Sequence, residues 1–178
     1  MKSNLSREQV AATESGTMRQ EIQLACFRVG EAMYALDILR IKEIIRPQKP
    51  TRVPRAPDFV EGVINLRGAV IPIIDLRKRF ELNAAENDRR ARVIICSLSG
   101  KILGLMVDEV AEVRRYGRQE IQPTPQYLKG RGAEFFHGVC RRDDDLIMVI
   151  DLERILTSGE RMDLDQIARM QQEEGPGG

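Results

Sequence analysis

The sequence predicts an all-β chain built as two similar small β-barrel lobes, followed by a short C-terminal helix. Three observations carry this. Residues 59–80, FVEGVINLRGAVIPIIDLRKRF, overlie residues 135–156, FFHGVCRRDDDLIMVIDLERIL, without a gap, with seven identities in 22 positions at an offset of 76. The segments before them correspond at an offset of 69: Leu36 falls on Leu105, Ile41-Lys42-Glu43-Ile44 on Val110-Ala111-Glu112-Val113, and Arg46 on Arg115. Finally, the apolar runs are short and bounded by turn residues, which suits the strands of small twisted barrels. A repeat of this length means two similar structural units. Its simplest reading gives each half of the chain one lobe, made of a hairpin, a proline loop and a second hairpin. The difference in offset falls in the second proline loop, where insertion is tolerated.

Residues 1–20 are polar and aperiodic and read as a flexible tail, with room for a helical turn near Ser6-Arg7-Glu8-Gln9. Order is expected from Glu21. Gln23–Phe27 reads as a strand, Val29-Gly30-Glu31 as a turn, and Ala32–Leu36 as the returning strand. Ile38–Ile45 suits either a helical turn or a strand, which periodicity alone does not separate. Pro47, Pro50, Pro54 and Pro57 then break regular structure. The hairpin over residues 61–76 follows. In its second strand, Val70-Ile71-Pro72-Ile73-Ile74, both alternating sets are apolar, so the strand is expected to be buried on both faces or to lie between lobes. Pro72 donates no ladder hydrogen bond and is expected at an edge or bulge. Residues 83–90 form a polar loop, and Arg92–Leu98 and Ile102–Val107 a hairpin about Ser99-Gly100-Lys101. Pro123 and Pro125 interrupt a second loop, and a last hairpin spans Phe135–Leu156. Leu164, Ile167 and Ala168 share one face of a helix over residues 163–172, where Asp163 and Gln166 have capping-box spacing. The GPGG end is loose.

Composition narrows function. Charged residues are 31% of the chain but nearly cancel, at net +1, whereas a nucleic-acid binder more often carries a strong basic surplus. Arg89-Arg90-Ala91-Arg92 reads as a solvated loop before a strand. No apolar run approaches the roughly 20 residues that cross a bilayer, and the polar start lacks a signal-peptide core, so a cytoplasmic protein with no membrane insertion is expected. Cys26, Cys96 and Cys140 sit far apart inside apolar runs and read as buried small hydrophobes. His137 is the single histidine and supports no histidine-based metal cluster. Asp75 and Asp151 are repeat equivalents. Paired carboxylates suit acid–base chemistry, but duplication explains the pairing, and each reads better as an acceptor for backbone N–H groups at a strand end. Asp143-Asp144-Asp145 reads as a hairpin tip. Gly130-Arg131-Gly132 lacks the strand-to-helix setting of a phosphate loop, and no nucleophile has a recognisable base. A binding module is favoured over an enzyme. A hydrolase using Asp75 and Asp151 and a nucleic-acid-binding barrel remain as the competing classes.

The stretch Asn65-Leu66-Arg67-Gly68 sets an arginine between two apolar strands. A guanidinium is costly to bury alone, so Arg67 is either exposed or paired, and Glu43 is the candidate partner. Gly68 suits a turn with positive φ and Asn65 a side-chain cap. Ile41, Ile44 and Leu66 would form an apolar floor, with Arg67 and Glu43 at its rim. Arginine beside an apolar patch is a common interface hot spot, and a solvated hairpin tip is the equal alternative.

The segment VEGVINLRGAVIPIIDLRKRF resembles the hallmark of the CheW family, the coupling proteins of bacterial chemotaxis arrays. YALDILRIKEII, GLMVDEVAEV and HGV…LIMVIDLERIL extend the resemblance over roughly residues 21–157. It implies two intertwined five-stranded β-barrel lobes over residues 21–157, between the tail of residues 1–20 and the helix and loose tail of residues 158–178. It implies no cofactor. It implies a non-enzymatic adaptor that joins the cytoplasmic tip of a methyl-accepting chemoreceptor to a CheA-type histidine kinase, in receptor arrays at the inner membrane. Ile41, Glu43, Asn65, Arg67 and Gly68 match positions that face the receptor or support the array. A CheW-like interaction module of another signalling pathway, such as surface motility, is the alternative on the same fold.

Overall fold

The computed structural model describes residues 20–83, 88–128 and 132–173. The polar start expected as a flexible tail, the centre of the loop over residues 83–90, most of Gly130-Arg131-Gly132 and the GPGG end lie outside the described residues. In chain order the strands are β1 (Glu21–Val29), β2 (Ala32–Asp37), β3 (Ile41–Ile45), β4 (Val60–Leu66), β5 (Ala69–Asp75), β6 (Arg92–Leu98), β7 (Lys101–Val107), β8 (Glu109–Gly117), β9 (Phe136–Arg142) and β10 (Asp145–Ile150). The helices are α1 (Leu76–Arg79) and α2 (Ser158–Glu173). Ile38–Ile45 resolves into both of its expected alternatives, a 3-10 turn over Ile38–Arg40 and then β3.

The strands form two five-stranded sheets, ordered β8-β1-β2-β10-β9 in the first lobe and β3-β6-β7-β5-β4 in the second. Two lobes of five strands stand as expected, but neither lobe is one half of the chain. The β1–β2 hairpin of the first half completes a sheet with β8, β9 and β10 of the second. The β6–β7 hairpin of the second half completes a sheet with β3, β4 and β5 of the first. The links explain the exchange. Asp108 alone separates β7 from β8, which is too short for the two-residue loop of a hairpin, so β8 runs on into the other sheet. The exchanged strands are stitched by parallel pairing at equivalent registers: Ala35↔Val149 between β2 and β10, and Gly104↔Ile73 between β7 and β5. Among the described residues no ladder joins the outer strands of either sheet, so each expected barrel is a rolled, open sheet.

Most apolar burial lies between the lobes. Phe27, Tyr34, Leu36, Phe59, Ile74 and Leu105 belong to one core shared by both sheets. Smaller interiors fill the first lobe, around Cys26, Cys140 and Ile147, and the second, around Ile64, Ile71 and Ile95. This accounts for β5: Ile71 and Ile73 fill the lobe interior while Ile74 faces the shared core. Pro72 is not on an edge strand. Val63, opposite it, spends its N–H and C=O on Thr51, at 2.9 and 2.8 Å. Register with β7 begins only at Ile73.

The Gly-Val pairs that recur in the repeat have a structural cause. Val63 bridges Thr51 and Val139 bridges Gln122, each pinning a proline loop to the outer strand of its sheet. A Cβ on Gly62 would stand 2.2 Å from the Thr51 carbonyl oxygen, and one on Gly138 2.5 Å from that of Gln122. Only glycine lets the loop come so close.

The terminal helix starts at Ser158, ahead of the segment over residues 163–172 that periodicity marks. Its capping box is Thr157 with Glu160: the Glu160 N–H donates to Thr157 Oγ1 (3.2 Å) and the Thr157 N–H to Glu160 Oε1 (2.8 Å). Asp163 and Gln166 share that spacing but lie inside the helix. Leu164 and Ile167 bury into the shared core as expected. Arg79 anchors α2 there. Its guanidinium lies over the Phe59 and Phe135 rings (4.3 and 4.8 Å), donates to the Ile155 carbonyl (2.7 Å) and pairs with both oxygens of Glu160 (2.9 and 3.0 Å). Phe59 with Phe135, and Arg79 with Ile155, are repeat equivalents, so this contact marks the local twofold between the lobes.

Candidate docking surface

A bulge at Lys42 organises the surface around Arg67. Ile41 is in register with Cys96 and Glu43 with Ile95, so Lys42 is the extra residue. Neighbours on β6 point to opposite faces. The bulge therefore leaves Ile41 on the face of Cys96, packed against the shared core, and turns Glu43 to the face of Ile95, the lobe interior. A bulge commonly re-aims a side chain in this way.

The β4–β5 hairpin turns through Arg67 and Gly68, both with positive φ (51° and 85°), while Leu66 pairs with Ala69. Such a turn matches the twist of its strands. The Asn65 side chain accepts from the Gly68 N–H at 3.0 Å. Arg67 Nη2 donates to Glu43 Oε2 at 2.9 Å. β3 and β4 are the two outer strands of the sheet, so this ion pair spans the mouth of the rolled lobe. The Arg67 side chain is 75% exposed and that of Glu43 26%. Glu43 Oε1 is buried without a hydrogen-bond partner. Expectation and geometry differ over the apolar floor. Ile41 packs inward and Leu66 faces the lobe interior, while Ile44, on the face opposite Leu66, stands exposed.

The first lobe repeats the arrangement. Its bulge falls at Ala111, since Cys26 is in register with Glu112 and Phe27 with Val110. Glu112, the equivalent of Glu43, accepts from Arg142 at 2.9 Å across the outer strands β8 and β9, and from Arg114 at 3.0 Å. Val113, the equivalent of Ile44, is exposed in the same way. The sequence does not point to Arg142, because the gapless alignment sets it against Leu66, and Asp143 against Arg67. The signal available was Glu112 alone.

The groups considered for chemistry are structural. Asp75 Oδ1 accepts from the Arg77 N–H (2.9 Å) and Asp151 Oδ1 from the Glu153 N–H (3.0 Å), each capping the turn after its strand. Burial raises the Asp75 carboxyl despite the Arg77 N–H. All three cysteines are buried and free. Burial pushes the Cys96 thiol to about 12, and burial with the neighbouring Cys140 pushes Cys26 to about 11. Asp143 and Asp144 form the β9–β10 hairpin tip. Among the described residues no cluster of His, Cys, Asp and Glu has the makings of a metal site, and no helix is long and apolar enough to cross a membrane.

A duplicated β scaffold that spends its charged groups on caps and edge closures, and leaves apolar and basic residues exposed on edge strands and a hairpin tip, is an interaction module. Comparison with known proteins narrows the class. The CheW-like domain family matches residues 23–160. The chain is 36% identical to a chemotaxis protein CheW of Treponema pallidum, covering 79% of this chain and 85% of that one. It is 31% identical to the protein FrzA of Myxococcus xanthus, covering 80% and 90%. The crystal structure of the scaffolding protein TtCheW from Thermoanaerobacter tengcongensis superposes with a TM-score of 0.72 at 34% identity, covering 78% of this chain and 90% of that one. The chain belongs to the CheW family. It is a chemotaxis scaffold protein, not an enzyme.

Proposed function

We propose that this protein works in the cytoplasm, in receptor arrays at the inner membrane, as the adaptor that couples the cytoplasmic tip of methyl-accepting chemoreceptors to a CheA-type histidine kinase. Ile41, Glu43, Asn65, Arg67 and Gly68 form the receptor-facing surface or support it. The observation that carries the reading is the exposed Arg67 held over Glu43 at the mouth of the second lobe. Asn65 and Gly68 fix the hairpin tip that presents the guanidinium. Ile41 anchors β3 to the shared core, so Glu43 is held by a rigid strand. A receptor helix laid against this tip meets a charge whose position is set before binding, which lowers the ordering cost of docking. The kinase docks elsewhere on the lobes. Receptor state biases kinase activity because the two partners share one rigid intermediary.

The test is reconstitution of receptor, kinase and this protein. Arg67→Glu is expected to cut kinase activation at least about tenfold, the loss of roughly 1.4 kcal/mol of binding. Full activation by the variant would remove Arg67 from the interface. The likeness to FrzA favours one second reading, service to a different receptor–kinase pair on the same fold. Co-sedimentation with the cognate receptor and kinase separates the two.

A further inference from the structure

Among the described residues the chain passes between the sheets twice, from β2 to β3 through Ile38–Arg40 and from β7 to β8 through Asp108. Each departing strand has a parallel neighbour, β10 beside β2 and β5 beside β7. Residues that follow two parallel neighbours emerge side by side. Glu153, after β10, therefore meets Arg40 at the first crossing (3.1 Å), and Arg77, after β5, meets Asp108 at the second (2.6 Å). Arg77 and Glu153 are repeat equivalents at the offset of 76. An ion pair grips each crossing, and the two pairs have opposite polarity.

The grips are unequal. At the second crossing the side chains are 13% exposed for Asp108 and 19% for Arg77. Arg77 Nε donates to both Asp108 oxygens (2.8 and 3.0 Å) and Nη2 to Oδ2 (2.6 Å). The Gly30 N–H, on the β1–β2 turn of the first lobe, also donates to Oδ2 (2.6 Å). One carboxylate so takes donors from both lobes, while the Asp108 N–H donates to the Arg28 carbonyl (3.0 Å). At the first crossing Arg40 and Glu153 are 44% and 40% exposed, where an ion pair holds little. Ser99, on the β6–β7 turn of the second lobe, adds a hydroxyl donated to Glu153 at 3.3 Å.

We propose that these two pairs set the angle between the lobes, with Asp108 the fixed corner and Arg40–Glu153 the yielding one. Apolar burial holds the lobes together but is non-directional, whereas a guanidinium fork on a carboxylate is directional. Asp108 is a positioning residue. It acts without touching either partner, by fixing how the Arg67 tip on one lobe is aimed relative to the other lobe. Arg77 and that tip stand at opposite ends of β5, about 20 Å apart at the strand rise. The device rests on the coupling role proposed above and supplies the rigidity which that role requires.

The experiment uses the full chain with nitroxide labels at Ile44→Cys and Val113→Cys, exposed repeat equivalents on β3 and β8, one in each lobe. The native cysteines are buried and stay unlabelled. Double electron–electron resonance reads the distance distribution between the labels. Asp108→Asn is expected to broaden it, and Arg40→Gln to leave it close to that of the unsubstituted protein. Arg77→Lys keeps the charge but loses the fork and broadens it too, so the test stands even if Asp108→Asn does not fold. In the reconstituted assay, unlabelled Asp108→Asn should co-sediment with receptor and kinase within about twofold of the unsubstituted protein. It should activate the kinase about threefold less or worse, the scale of coupling carried by a residue between two sites. A merely stabilising contact would instead lower binding and activation together. The proposal fails if Asp108→Asn and Arg77→Lys leave the distribution unchanged, if Arg40→Gln broadens it as much, or if activation falls only in step with binding. If the unsubstituted protein does not activate the kinase, the coupling role fails instead. The distance measurement, made on the chain alone, then still decides whether Asp108 sets the angle.

Discussion

Arg67 faces water over three quarters of its side chain, and Glu43 beneath it is partly exposed. Exposed ion pairs contribute about 0–1 kcal/mol. Charge reversal at Arg67 should therefore shift the melting temperature by no more than about 3 °C in a chain of this size, even as kinase activation falls. Combining Arg67→Glu with Glu43→Lys restores the pair with inverted polarity. If the direct contact is what matters, activation returns at least in part in the reconstituted assay; if the receptor reads the positive charge itself, the double variant stays inactive. The cysteines give a second prediction. Burial raises all three thiols above the ordinary value, so they stay protonated and unreactive toward a disulfide reagent at pH 8. Labelling should track global unfolding in urea. Rapid labelling of native protein would place a thiol at the surface. Residue-scale chemistry was readable in the sequence wherever a side chain acts on its own neighbourhood. The Asn65 cap, the Asp75 and Asp151 caps and the Gly68 turn are contacts over two or three residues, and residue type nearly dictates them.

Elements depend on closer accounting. The two proline loops reach the sheets only because Gly62 and Gly138 lack a Cβ. Gly62 also holds a φ of 142°, so Gly62→Ala meets both a backbone clash and strain, and should cost about 3 kcal/mol or more. Gly138→Ala meets the clash alone and should cost about 1–3 kcal/mol. Denaturant midpoints check both, and equal costs would contradict the difference in backbone geometry. Helix α2 carries a pH signature. Burial alone would raise the Glu160 carboxyl, but the Thr157 N–H and Arg79 outweigh it and leave Glu160 below its ordinary 4.5. A depressed carboxyl contributes stability above the unfolded value and loses it as pH falls through the folded one. Protection of the α2 amides, taken against the intrinsic exchange rate at each pH, should therefore fall as pH drops below about 4.5, and Glu160→Gln should abolish that dependence. Asp75, raised by burial, works in the opposite sense, so the local readout on α2 is the decisive one. The early start of α2 was legible in principle, since Thr157 and Glu160 have the same spacing as Asp163 and Gln166. What selected the first pair is Arg79, about eighty residues away in the chain, which no local pattern reports.

At the scale of the whole molecule the repeat disclosed equivalence but not partnership. Residues 59–80 and 135–156 look alike because they occupy like positions, and nothing in that likeness says that β10 pairs with β2 rather than with β7. That choice rests on the one-residue link at Asp108 and on burial between the lobes. The Glu43–Arg67 contact was readable because turn and strand lie in one half; the Glu112–Arg142 contact was not, because the alignment offers aspartate where the first half has arginine. Since each sheet needs strands from both halves, residues 1–87 and 88–178 expressed separately should each stay largely unfolded by circular dichroism and regain β structure when mixed. A native-like spectrum from either fragment alone would contradict the exchange. The same exchange bears on ancestry. A forerunner of half this length, with the same strands, would own a complete sheet only by pairing with a second copy of itself, and both ends of that symmetric pair would be identical. A single chain carries no such obligation, and here one tip offers Arg67-Gly68 where the other offers Asp143-Asp144.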